Sequence, residues 1–85
     1  MSTMNDEKIP PMRLVARRTG LSSHAIRVWE RRYQAVEPAR TNTNRRLYSE
    51  TDIERLTQLH QATRAGHSIS QIARFSPEEL AALIA

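Results

Sequence analysis

The four residues Thr19-Gly20-Leu21-Ser22 constrain this chain most. Glycine occurs only twice in 85 residues, at Gly20 and Gly66, and each follows a stretch with helical character. Before Gly20, from Arg13 to Thr19, the apolar residues Leu14, Val15 and Ala16 sit among arginines. Gly20 closes that segment as a residue just past a helix end. Ser22 or Ser23 is placed to cap a second helix, running from about Ser23 to Gln34. In it Ala25, Ile26, Trp29 and Tyr33 share one face of a 3.6-residue period, while His24, Arg27, Val28 and Arg31 share the other. Two helices joined by a short turn containing glycine have the spacing of a helix-turn-helix. Leu21 is expected to plug the gap between them.

The flanking segments extend that reading. Residues 1–8, MSTMNDEK, are polar and read as a disordered tail. IPPM reads as a short extended lead-in, because Pro10 and Pro11 oppose helix. After the second helix, AVEPARTNTNRRLYS suggests two short strands around a loop. Arg40, Arg45 and Arg46 are expected at its tip or on its second strand, with Tyr48 closing it, half-buried and with a free hydroxyl. A basic hairpin directly after a helix-turn-helix is a wing. Ser49 and Asp52 form an S-x-x-D start for a further helix with Ile53, Leu56, Leu59 and Ala62 inward, stopped by Gly66. Ser68 or Ser70 opens a shorter helix. Ser76, Pro77 and Glu79 supply a strong start for a last one, LAALIA. The fold class is therefore mainly α: a winged helix-turn-helix of about four helices over residues 9–75, with a small two- to three-stranded antiparallel wing. Residues 76–85 read as the start of a linker helix toward a C-terminal effector domain beyond this chain.

Charge distribution points to a function. The chain has 13 basic and 9 acidic side chains, a formal net charge of +4. From Arg13 to Arg46 there are nine arginines and only two acids, Glu30 and Glu37, a balance of +7. Arginine's planar fork of donors matches phosphate and guanine edges, and such a field inside a folded segment is the electrostatic footprint of nucleic-acid binding. A plain solvated basic face is the alternative, and for Arg32, Arg55, Arg64 and Arg74 it is favoured, as a solvated side chain or an ion pair. Glu30 would repel phosphate and is expected to pair with an arginine of the domain. Trp29 lies on the Ala25/Ile26/Tyr33 face, which favours a core anchor whose indole N–H meets a backbone partner.

Other chemistries find little support. There is no cysteine, hence no disulfide or thiolate chemistry, which fits a reducing, cytoplasmic setting. His24, His60 and His67 lack metal-ligand spacing, no phosphate-binding glycine loop exists, and the acids near helix starts are explained as caps. No apolar run approaches the length of a spanning helix. The chain does not read as an enzyme or a membrane protein.

The motifs V-A-x-x-T-G-L-S, I-R-x-W-E, R-R-L-Y-S, D-I-E-R-L and G-x-S-I-x-x-I, in that order over Met12 to Phe75, resemble the DNA-binding domain of MerR-type bacterial transcription regulators. The resemblance implies a dimer of the full protein, or a higher oligomer, on an inverted repeat of double-stranded promoter or operator DNA. It implies DNA contacts by Arg27 and the wing arginine Arg46, specificity set by Ser23 and His24, and positions near phosphates for Arg13 and Tyr48. With Val28, Arg31 and Arg45 from the basic faces, these make the candidate DNA-binding set. Many members have two tyrosines where this chain has Val28 and Trp29, so one phosphate contact is lost or replaced. The R-x-W-E-R-R-Y form is similar to the CarA/CarH/LitR branch, whose C-terminal region binds cobalamin and which mostly represses. No residue set here serves cobalamin, so that cofactor would belong to a C-terminal domain. The reading is a sequence-specific repressor domain, monomeric and weakly binding as this fragment. The alternatives are a protein-interaction module whose basic face takes an acidic, antirepressor-like or DNA-mimicking partner, and an excisionase-like architectural factor.

Overall fold

The computed structural model describes residues 12–40, 42 and 46–84. The tail 1–8, most of the IPPM lead-in and Arg45 lie outside the described residues. Helices α1 (Met12–Thr19) and α2 (Ser23–Tyr33) are followed by strands β1 (Ala39–Arg40) and β2 (Arg46–Leu47), then α3 (Glu50–Arg64), α4 (Ile69–Ile72) and α5 (Pro77–Ile84). Met12, read from the sequence as the last residue of the lead-in, is helical.

Local chemistry sets the boundaries. Gly20 has φ 81°, and a Cβ there would stand 2.9 Å from Cε1 and Nδ1 of His60. Both the left-handed backbone and the close ring therefore demand glycine. His60 Nδ1 lies 3.0 Å from the Thr19 carbonyl, and since a carbonyl only accepts, Nδ1 carries the donated hydrogen. Ser22, rather than Ser23, caps α2 by accepting from the Ala25 N–H at 3.0 Å. The helix ends at Gln34, which takes φ 53°. The S-x-x-D start is a complete capping box: Asp52 N–H donates to Ser49 Oγ at 3.0 Å and Ser49 N–H to Asp52 Oδ2 at 2.9 Å. Ser76 and Glu79 repeat it at α5. At the end of α3 the His67 N–H reaches back to the Ala62 carbonyl and Gly66 N–H to Thr63, the Schellman pattern that needs glycine at the left-handed position.

Two apolar clusters form the core. Val15, Leu21, Ile26, Val36, Tyr48, Ile53 and Leu56 make one. Ala35, Leu59, Ala62, Ile72, Ala73 and Leu80 make the other. Leu21 fills the turn between α1 and α2 as expected, and Ile53, Leu56, Leu59 and Ala62 all point inward along α3. Helix α3 packs against both α1 and α5. Helix α5 lies back on α3 with Leu80 fully buried. The wing is a two-stranded antiparallel ladder pairing Ala39 with Leu47 and Arg40 with Arg46. Among the described residues no helix is long and apolar enough to cross a membrane.

Arg55 departs from its expectation as a solvated or ion-paired side chain. Its Nε donates to the Ala35 carbonyl at 2.5 Å, Nη1 to Phe75 at 2.7 Å and Nη2 to Ala73 at 2.5 Å. One guanidinium thus ties the segment after α2 to the segment between α4 and α5. Burial lowers its pKa from the usual arginine value, but the group stays charged at neutral pH. Arg55→Ala leaves three carbonyls without their donor, and charged hydrogen bonds make this worth about 2–4 kcal/mol. The expected drop in melting temperature is about 10–20 °C for a domain of this size. Arg55→Lys, lacking the fork, should recover less than half of it. Thermal unfolding followed by circular dichroism measures both; wild-type melting in Arg55→Ala would contradict the clamp.

Candidate nucleic-acid interface

Helix α2 is amphipathic in the sense its sequence suggests. Ile26 is wholly buried and Ala25, Trp29 and Tyr33 are half-buried. His24, Arg27 and Arg31 are exposed, Ser23 and Val28 partly so. Trp29 packs against both apolar clusters, so it anchors α2. Its indole N–H meets no backbone partner among the described residues, contrary to the expectation for a core tryptophan. Arg27 and Arg31 make no ion pair or side-chain hydrogen bond among the described residues. Arg13 is likewise exposed, on α1. Arg32 lies 5.6 Å from the centre of the Tyr33 ring, and Arg74 donates to the Gln34 side chain at 2.6 Å.

The wing is joined to α2 through Glu30. Oε1 accepts from Arg46 Nε at 2.7 Å and from the Tyr48 hydroxyl at 3.2 Å. Oε2 accepts from Arg40 Nη2 at 3.1 Å. Glu30 is thus the intra-domain arginine partner expected from sequence, but with two arginines and a tyrosine rather than one arginine. On a helix turning about 100° per residue, Glu30 sits about 60° from Arg27, between the basic face and the core face. The wing therefore stands beside the flank that carries Arg27. His24, Arg27, Arg31 and Arg46 are brought to one region, and Arg40 joins them from β1.

Tyr48 corrects its expectation. It is 2 % exposed, not half-buried, and its hydroxyl is bonded to Glu30, not free. It supports the wing from beneath. Burial, then the Glu30 charge, push its pKa from 10.0 up to about 12, against smaller opposing effects of Arg46 and Arg27. Arg18 and Glu50 form a two-bonded surface pair at 2.7 Å between α1 and α3, raising the arginine's pKa and lowering the carboxylate's. The sequence reading missed this pair, the Arg55 clamp and the His60 contact. Periodicity held a signal for two of them. Arg55 lies on the stripe of Leu59 and Ala62, and His60 on that of Ile53 and Leu56, so both polar residues fall on inward-facing lines.

No group of three or more His, Asp or Glu among the described residues is placed to hold a metal ion, and His60 is committed to the Thr19 carbonyl.

Comparison with known proteins supplies the lineage. The family model described as "MerR HTH family regulatory protein" matches residues 11–79. The chain is 35% identical over 72 residues to the HTH-type transcriptional repressor CarH of Myxococcus xanthus, covering 85% of this chain and 24% of that protein. It is 40% identical over 57 residues to the HTH-type transcriptional regulator CueR of Yersinia pestis, covering 67% of this chain and 41% of that one. The chain thus spans well under half the length of these relatives. No solved structure matches significantly.

The tyrosine gives a pH test. The folded state holds the Tyr48 proton more tightly than the unfolded state. Its contribution to stability is therefore complete below about pH 10 and lost as pH rises toward about 12. In a Tyr33→Phe background, ultraviolet difference titration should place the Tyr48 transition near 12. Glu30→Gln should lower it only partway, because burial remains. A transition at the ordinary tyrosine value would contradict the buried, bonded phenol.

Proposed function

The chain belongs to the MerR family of helix-turn-helix regulatory proteins, and on that premise we propose that it is the sequence-specific operator-binding domain of a bacterial transcription repressor. The observation that carries the proposal is the convergence of the exposed α2 face (His24, Arg27, Arg31) and the Glu30-held wing on one region of the molecule. The major groove of B-DNA admits an α-helix, and the N-terminal part of a recognition helix contacts base edges. Ser23, His24, Arg27 and Val28 occupy that part of α2. Arg27 pairs with guanine through its two-donor edge, and Val28 touches a thymine methyl. Arg13, Arg31, Arg45 and Arg46 meet phosphates, which fix register but carry no base information. Tyr48 acts through Glu30 and the wing arginines rather than by its own hydroxyl.

Repression follows the likeness to the repressor CarH, and the full protein acts in the cytoplasm as a dimer or higher oligomer on paired half-sites. A single module of this size buries little surface on DNA, so this fragment binds as a weak monomer. Any cobalamin or other effector would be held by residues outside this chain. An acidic, DNA-mimicking protein remains a second occupant of the same face, one that operator duplex would displace.

The test is selection of duplexes from a randomised library, followed by titration of the enriched duplex. Arg27→Ala should relax the preference at one base position, costing about 1–3 kcal/mol. Affinity should fall steeply with added salt. No enrichment by the wild-type chain, or affinity indifferent to salt, would contradict the proposal.

A further inference from the structure

A carboxylate on a helix that faces phosphates is an electrostatic liability, and Glu30 is one turn from Arg27. Yet its side chain is only 13% exposed and accepts from three groups that span the wing: Arg40 of β1, Arg46 of β2 and Tyr48 beyond it. Among the described residues the wing's ladder is two residues long on each side, and a hairpin that short is not stable by itself. Arg46 spends only its Nε edge on Glu30. Its terminal amino groups make no hydrogen bond among the described residues, so they are left for another acceptor.

We infer that Glu30 is the positioning residue that converts the wing from a loose cationic arm into a fixed phosphate clamp at a set distance from the bases read by α2. This rests on the DNA-reading proposal above and deepens it. Glu30 bonds Arg46 by one edge and so fixes the roll of the guanidinium plane, presenting the opposite edge outward. Its one negative charge is set against the two positive charges of Arg40 and Arg46, so the clamp remains net cationic. Glu30 thereby lowers general attraction to DNA and strengthens discrimination, because a phosphate gripped at a fixed point is compatible with only one register of Arg27 over the base edges.

The test compares wild type, Glu30→Gln and Arg46→Lys on two duplexes of equal length: one that the wild-type chain enriches from a randomised library and one of scrambled sequence. Glutamine keeps the shape of Glu30 but not the charge. Lysine keeps the charge of Arg46 but not the forked edge. Both substitutions should cut the ratio of selected to scrambled affinity about tenfold, with scrambled-duplex binding by Glu30→Gln equal to or tighter than wild type. Equal fold-changes on the two duplexes, or an Arg46→Lys chain with the wild-type ratio, would overturn the inference. A second readout needs no DNA. Amide hydrogen exchange at Arg46 and Leu47 should quicken in Glu30→Gln while exchange within α2 stays as in wild type. Unchanged wing exchange would also overturn it. A wild-type chain that ignored DNA altogether would instead sink the operator-binding proposal, and the exchange measurement would still decide the role of Glu30.

Discussion

Trp29 touches both apolar clusters, the one around Ile26 and Ile53 and the one around Leu59 and Leu80. Because each residue advances a helix by about 100°, any rotation that freed the indole would also expose Ile26 and carry Arg27 away from its present direction. The seating of α2 therefore depends on one large side chain wedged where the two halves of the core meet. Around it, Gly20 packs on the His60 ring and sets how α1 enters, while Arg55 holds the Ala35 carbonyl just past the helix end. These contacts lock α2 at both ends and along its inner face, which frees its outer face from any structural duty.

The arginines divide by what they can reach. Arg55 is drawn inward to backbone carbonyls, where a fork of donors satisfies three acceptors that a lysine would leave partly unmet. Arg40 and Arg46 are held by Glu30. Arg18 is paired with Glu50 at the surface, where solvent weakens the attraction. What remains on α2 is a short run of exposed cations with no carboxylate bonded to them among the described residues. A small domain reaches a directed positive face in this way without repelling itself apart: Glu30 and Glu50 sit where they organise arginines.

Much of this was legible in the sequence. The turn at Gly20, the two faces of α2, the inward line of α3 and the caps at Ser49 and Ser76 all follow from spacing and local hydrogen-bonding chemistry. Those features involve residues a few positions apart. Less legible were contacts between distant positions. Glu30 meets Tyr48 across 18 residues and Arg55 meets Phe75 across 20. Which arginine a given acid chooses is decided by tertiary packing, which periodicity does not encode. Tyr48 shows the limit most clearly: a tyrosine ending a hairpin fits an exposed phenol or a buried one, and only the depth of the pocket beneath the wing selects the second. Of the candidate site, the α2 residues were found from their helical face, and the wing arginines were found without the carboxylate geometry that orients them.

The most direct measurement is a two-dimensional NMR titration of the labelled chain with a duplex it enriches from a randomised library. The perturbed amides should map to Ser23 through Arg31 and to Arg40, Arg46 and Leu47, with the outer faces of α3 and α5 unmoved. Perturbations centred on α3 and α5, with α2 and the wing silent, would contradict the account.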